Sequence, residues 1–261
     1  MIYAISDIHG HIDELTKAME KVDLTGGTWI VFVGDYVECG PCSCQVLKFL
    51  HDLQKAYGDK KVIVLKGNHE QMLLDWLREY GRPAESEMDE YLCYDEWLKR
   101  DSEHGFETFR SFVSEESFKQ FDDFSRRASF DAMNRLAAKL VLSENRSLIS
   151  WVKKMPLYHD TKWQIFVHAG VDERAGDEWK IATSDDEFMY KYPPTTGKFI
   201  KTIVAGHTGT YNDCRSADPD YHGIWFDGES HYYIDGSVYM ENGQLNILAF
   251  DEKTGTYSFL S

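Results

Sequence analysis

Asp7, His9, Asp35, Asn68, His69, His168 and His207 lie in five separated segments and are the side chains of this 261-residue sequence best suited to bind metal ions. Carboxylate, imidazole and amide oxygen together suit manganese, iron or zinc. The absence of cysteine from these segments argues against a closed structural zinc site. A carboxylate such as Asp35 has two oxygens and can bridge two ions. Two ions roughly 3.5 to 4 Å apart can clamp the attacking and leaving oxygens of an in-line displacement at phosphorus and lower the pKa of a water between them. The chemistry this points to is phosphoester hydrolysis.

The elements that must position these groups are readable. The segments are Ser6-Asp7-Ile8-His9-Gly10, Gly34-Asp35-Tyr36, Gly67-Asn68-His69-Glu70, Val167-His168-Ala169-Gly170 and Gly206-His207-Thr208. Each ends a short apolar run: Ile2 to Ile5, Trp29 to Val33, Val62 to Leu65, Ile165 to Val167 and Thr202 to Ala205. Such runs read as buried strands, and ligands in open α/β sheets collect outside the carboxyl ends of strands. His11 to Val22 and Cys44 to Tyr57 carry apolar residues at helical spacing, and Gln71 to Tyr80 continues as a helix from its ligand loop. Glu87 to Leu142 is charged and aromatic at helix-like spacing, with Trp97, Phe106, Phe109, Phe112, Phe118, Phe121 and Phe124 as the core of a helical cap. Tyr232 to Asp235, Leu245 to Ala249 and Tyr257 to Leu260 read as strands that join the His168 and His207 strands in a second sheet. The loop from Tyr211 to Ser230 follows His207 and is placed to border the pocket.

The five motifs in this order resemble the calcineurin-type metallophosphoesterases. Gly34-Asp35-Tyr36-Val37 with Gly67-Asn68-His69-Glu70 is similar to the phosphoprotein phosphatase branch, especially its small bacterial and phage members. Gly105 to Phe112, Leu148 to Tyr158 and Ile234-Asp235-Gly236-Ser237 extend the likeness over nearly the whole chain. The resemblance implies an α/β fold, a four-layer αββα sandwich of two mixed sheets. It is expected as a single domain, 1–261, with a helical cap insertion at 86–146. It further implies that Asp7, His9 and Asp35 hold one divalent ion and that Asp35, Asn68, His168 and His207 hold a second. Manganese is expected first, with iron, zinc or nickel as alternatives. A hydroxide between the ions would attack phosphorus, and His69 would protonate the departing oxygen.

The sequence departs from that pattern around the phosphate. Where the family has Asp-Arg-Gly, this chain has Glu38-Cys39-Gly40. Glu38 keeps the carboxylate with one more methylene and is expected to bond the second ring nitrogen of His69. Cys39 takes the place of a phosphate-gripping arginine. Lys66 and the Met189-Tyr190-Lys191 segment stand where two further arginines would be, so Lys66, Lys191 and Cys39 are the expected substrate-facing residues. Lysine keeps the charge and loses the planar fork. Arg174 and Arg215 are candidates to reach in from loops.

Composition narrows the partners. With 28 basic against 44 acidic residues the net charge is −16, a field that repels nucleic acid and anionic membrane. No apolar stretch approaches membrane-spanning length, and Met1 leads directly into the first strand, so a cytoplasmic protein without a signal peptide is expected. Five cysteines, Cys39, Cys42, Cys44, Cys93 and Cys214, are an odd number in such a setting and argue against a disulfide framework. Cys42 and Cys44 belong to a helix start, while Cys39, facing phosphate near metals, is a candidate for a redox switch. The expected activity is metal-dependent phosphomonoester hydrolysis, with phosphorylated serine or threonine in proteins as substrate. The alternatives are a bis(5'-nucleosyl)-tetraphosphatase, a small-metabolite phosphatase or nucleotidase, and an inactive metal-binding scaffold.

Overall fold

The computed structural model describes residues 1–82, 95–213 and 220–260. Its first sheet contains β1 (Ile2–Ile5), β2 (Trp29–Phe32), β3 (Val62–Val64), β9 (Ile247–Asp251) and β10 (Thr256–Leu260), in the order β10-β9-β1-β2-β3. The second contains β4 (Tyr158–Asp160), β5 (Gln164–Val167), β6 (Thr202–Ala205), β7 (Trp225–Phe226) and β8 (His231–Tyr233), in the order β4-β5-β6-β8-β7. Within each sheet three neighbouring strands pair in parallel, β1-β2-β3 and β5-β6-β8, and the remaining pairings are antiparallel.

Side chains alternate across a strand, and here both faces are apolar. Ile2, Ala4, Val31, Val33, Leu248 and Phe250 face Phe166, Val204, Tyr232 and Ile234 of the other sheet. The opposite face of the first sheet, through Tyr3, Ile5, Ile30, Phe32, Val62 and Val64, packs on helices. These are α1 (Ile12–Met19), α2 (Ser43–Tyr57) and α3 (Asn68–Tyr80), with the long α7 (Phe130–Val152). On the outer face of the second sheet, Ile165, Val167 and Ile203 meet Trp179 of α8 (Trp179–Ala182) and Phe188 of α9 (Asp185–Tyr190). The result is the expected αββα layering.

One expectation is overturned. The two last strands do not join the second sheet: β9 pairs antiparallel with β1 (Tyr3 opposite Ala249), and β10 follows across the Lys253-Thr254-Gly255 turn. Burial explains the placement. Ile247, Leu248, Ala249 and Phe250 are all buried, which requires a strand with a neighbour on each side and covered faces, and the free edge of β1 offers that. Among the described C-terminal strands, β8 and the short β7 before it belong with the His168 and His207 strands.

Helices α4 (Asp95–Glu103), α5 (Glu107–Ser111) and α6 (Glu115–Ser125) precede α7 over the α2–α3 side. Trp97, Phe109, Phe112 and Phe121 are buried there, with Trp97 stacked on Trp76 of α3 at 4.4 Å, while Phe124 is exposed. The expected cap boundary at 86, Cys93, Cys214, Arg215 and much of the loop after α10 (Thr210–Asp213) lie outside the described residues. Among the described residues no helix is long and apolar enough to cross a membrane.

Candidate metal centre

The ligand loops leave the carboxyl ends of β1, β2 and β3 in one sheet and of β5 and β6 in the other, and they are stitched together where those edges adjoin. Asp7 N–H donates to Gly34 O and His9 N–H to Asp35 O, both at 3.0 Å. His168 reaches across from the second sheet to donate from Nδ1 to Val33 O at 2.9 Å. A side chain on Gly67 would overlap the Asp35 carboxylate, so only glycine lets these two loops approach so closely.

The backbone here is held in an unfavourable conformation. Asp7 (φ 52°), His9 (46°), Asp35 (59°), Glu38 (66°), Cys39 (60°) and His207 (66°) are left-handed; outside these loops only Phe106 and Ser237 share that state among the described non-glycine residues. Each such residue costs on the order of 1 kcal/mol, and concentrations of them mark functional sites. Glu70 holds the loops in place. Fully buried in the first turn of α3, its carboxylate accepts the N–H groups of Asp35 (2.9 Å), Tyr36 (2.7 Å), Val37 (3.2 Å) and Gly67 (3.0 Å). Burial and the neighbouring Asp35 charge push it up to about 6.

Asp35 stands at the middle. Its Oδ2 is 3.2 Å from His168 Nε2, 3.7 Å from His69 Nε2 and 3.9 Å from His9 Nε2. Ligand atoms of His9, Asp35 and His69 lie within 4.8 Å of one another, and so do those of Asp35, His168 and His207. Asn68 Oδ1 lies 2.8 Å from His168 Nε2 and 3.0 Å from His207 Nδ1. With His168 Nδ1 donating to Val33 O, its Nε2 meets the Asp35 and Asn68 oxygens; burial opposes charge on the ring, but Asp35 pushes it up to about 10, so without a cation a proton sits between these groups. Three acceptors converging on one point are stable only around positive charge, a proton or a cation. His9, likewise oriented by Nδ1 donation to Val37 O at 3.0 Å, is lowered to about 4 by burial and by the His69 charge. His207 is lowered to about 4 by burial and by His168, so both rings are neutral with lone pairs available. The donor set fits divalent cations.

Asp7 occupies a different position from the other expected ligands. It is buried beside this cluster, accepting the Ser6 hydroxyl and, at 3.1 Å, the His207 N–H. Burial, then the charge of Asp235, raise its pKa well above the ordinary carboxylate range. Asp235, after β8 at the same edge, is buried and pushed up to about 6 for the same first reason. It received no role from the sequence, although Ile234-Asp235-Gly236 repeats the pattern of an acid after an apolar strand.

His69 is bound at both ends. Its Nδ1 and Glu38 Oε2 are 2.7 Å apart, and its backbone N–H donates to Asp35 Oδ1 at 3.1 Å. Burial works against charge on this ring, but Asp35 and Glu38 overcome it and push it up to about 9. A ring so protonated suits an acid better than a ligand. Beside it opens a cavity of about 540 Å³ lined by Glu38, Cys39, His69 and Tyr239 below and by Arg100, Asp101, Glu103, His104 and Glu107 from the cap side.

Among the described residues, the expected cations do not border the cavity beside His69. Lys66 Nζ donates to Gln71 Oε1 at 3.2 Å, Lys191 Nζ to Val171 O, and Arg174 pairs with Asp172 at 2.9 Å; none lines this cavity. Arg100, which the sequence reading passed over, does line it. Cys39 also lines it, but burial and Glu38 push its thiol up to about 12, opposite to the lowered pKa of a reactive cysteine.

Comparison with known proteins gives this geometry a family. The model for calcineurin-like phosphoesterases matches residues 1–234. Over 75 residues, 28% of this chain, the sequence is 43% identical to the symmetrical bis(5'-nucleosyl)-tetraphosphatase of Enterobacter sp. (strain 638) and 41% identical to that of Escherichia coli. The matched segment spans 24% of the length of those relatives. In structure, the chain resembles a protein provisionally named a diadenosine tetraphosphatase, with TM-score 0.53, 16% identity and coverage of 99% of this chain and 92% of that one. It also resembles a protein serine/threonine phosphatase from Saccharomyces cerevisiae, with TM-score 0.50, 14% identity and coverage of 95% and 71%. At such identities the structural likeness is one of fold, and it is the match over residues 1–234, together with a carboxylate shared between two histidine-rich ligand groups, that assigns the chain to the calcineurin-like phosphoesterase family.

Proposed function

We propose that this family member is a metal-dependent phosphomonoester hydrolase of the phosphoprotein phosphatase branch, acting on phosphorylated serine or threonine in proteins. The carrying observation is Asp35, whose carboxylate belongs to both ligand groups. Asp7, His9 and Asp35 would hold one divalent cation and Asp35, Asn68, His168 and His207 the other, with manganese preferred over iron, zinc or nickel. When bound, such a pair supplies charge that neutralises phosphoryl oxygens and lowers the pKa of water. His69 would release its Nε2 proton to the departing oxygen, while Glu38 orients the ring through Nδ1 and keeps it charged until that step. We read residues 86–146 as a cap within one unit, 1–261, because Trp97, Phe109 and Phe121 share the core of α2 and α3.

A dinucleoside tetraphosphatase is the second reading, favoured by the matched 75-residue segment. Against it stands the cavity beside His69, where Glu38, Asp101, Glu103 and Glu107 outnumber Arg100, a lining that suits one phosphoryl group better than a polyphosphate chain. Turnover by the manganese-loaded protein across phosphopeptides, mononucleotides and diadenosine tetraphosphate, with products identified, separates the readings. Phosphopeptides are expected to be the best substrates. Preference for the tetraphosphate would replace this proposal with the second reading, and inactivity throughout would leave a metal-binding scaffold.

A further inference from the structure

A phosphoester approaching His69 meets an acidic protein, so its negative charge must be answered locally. Among the described residues lining the cavity, Arg100 is the one permanent cation. It comes from α4 of the cap, and its Nη2 donates to Glu38 Oε1 at 3.1 Å and lies 3.5 Å from Met72 Sδ. The other oxygen of Glu38 is the partner of His69 Nδ1, so one carboxylate spans the ring and the guanidinium. Nε and Nη1 of Arg100 make no hydrogen bond to any described residue, and the side chain is 46% exposed. A guanidinium anchored at one nitrogen, with its remaining donors open to a cavity, is prepared to receive two oxygens in a plane.

We propose that Arg100 is a substrate-binding residue of this site, a cap-borne guanidinium that receives phosphoryl oxygens beside His69 where Cys39 supplies no charge. The inference rests on the hydrolase reading above. It makes one arrangement of two features that look unrelated in the sequence. Glu38, one methylene longer than aspartate, has the reach to hold His69 with one oxygen and Arg100 with the other. Cys39, small and uncharged, leaves room for a cation arriving from the cap.

Calorimetric titration of inorganic phosphate into the manganese-loaded protein tests this, with thermal unfolding and manganese affinity measured on the same samples. Arg100→Ala is expected to weaken phosphate binding by about ten- to a hundredfold with unchanged melting and manganese binding. Arg100→Lys should recover only part of the loss. Cys39→Arg in the Arg100→Ala background should recover more, a rescue that a purely structural role for Arg100 does not give. Equal phosphate affinity in Arg100→Ala and wild type overturns the proposal, as does failure of both replacements to restore any binding. Wild-type turnover of p-nitrophenyl phosphate is read separately. An inactive wild type whose phosphate affinity still depends on Arg100 would refute the hydrolase reading and leave the role of Arg100 standing.

Discussion

The structure buries histidines among carboxylates in two places and arranges them differently. On the far side of the second sheet, His231 is fully buried with Nδ1 2.7 Å from Asp227 Oδ2 and Nε2 3.1 Å from Glu173 Oε2. Asp227 also accepts the N–H groups of Glu229, Ser230, His231 and Gly197, and Glu173 accepts the Thr195 hydroxyl. Each ring nitrogen there has an oxygen partner, and each carboxylate is met by several donors. At the metal centre, His9 and His168 spend their Nδ1 protons on backbone carbonyls, and Nε2 of His168 confronts Asp35 and Asn68 oxygens. Residue types are the same in both places; at His231 one ring is shared by two carboxylates that other donors also satisfy, whereas at Asp35 the ligand atoms of four histidines gather around a single carboxylate, and that convergence is what suits a cation.

That contrast can be broken at several points. The largest effect is expected for Asp35→Asn, which removes the charge common to both ligand groups. A bound cation is worth several kcal/mol of transition-state stabilisation, so turnover should fall roughly a thousandfold or more, with manganese content reduced in parallel. Full activity in that variant would dismiss the shared-carboxylate site. His69→Ala should slow poor leaving groups by about a hundredfold and p-nitrophenyl phosphate much less. An equal loss on both substrates would remove His69 as the proton donor. Glu70→Gln replaces an acceptor oxygen by a donor facing backbone N–H groups and should destabilise by about 3 kcal/mol in chemical unfolding, weakening metal binding as the Asp35 loop relaxes.

The smallest effect sharpens the other side of the comparison. Burial opposes charge on His231, but Glu173 and Asp227 overcome it and raise its pKa above the ordinary 6.5. Its contribution to stability is therefore complete below 6.5 and disappears as pH rises through the folded value. For Asp227, burial is outweighed by the N–H groups of His231, Glu229 and Gly197, which hold it down to about 2. Its contribution is present above 3.8 and is lost as pH falls towards that value of about 2. The difference in unfolding free energy between wild type and His231→Gln should be widest between pH 3.8 and 6.5 and should narrow on the alkaline side. A difference that does not vary with pH would mean that the ring is held neutral.

The ligand loops were legible because strand ends announce themselves twice, by a β-branched run and by the polar residue that stops it. The left-handed backbone at Asp7, His9, Asp35 and His207 was not, since no glycine or asparagine marks those positions and the conformation is imposed by neighbours such as Glu70. Strands β9 and β10 were recognised as strands, but an apolar run carries no address, and the open edge of β1 is a property of the assembled sheet. Lys66 and Lys191 were named for their place beside motifs, yet a long side chain adjacent in sequence is free to turn to a nearer acceptor, here Gln71 and Val171. Arg100 was missed for the converse reason. It lies far along the chain from every metal motif, and the packing of α4 on α3, with Trp97 stacked on Trp76, brings it to the cavity.

The pairing of β9 with β1 sets the order in which a nascent chain can mature. Ile2 finds its antiparallel partner in Phe250, so the strand that presents Asp7 has an unsatisfied flank throughout synthesis of the intervening polypeptide. Contacts so distant along the chain form late and fold slowly. A chain still being synthesised would carry Asp7, His9, Asp35 and Asn68 on β1, β2 and β3 with one flank of β1 open, and residues 247–251, arriving after His168 and His207, would close that flank last.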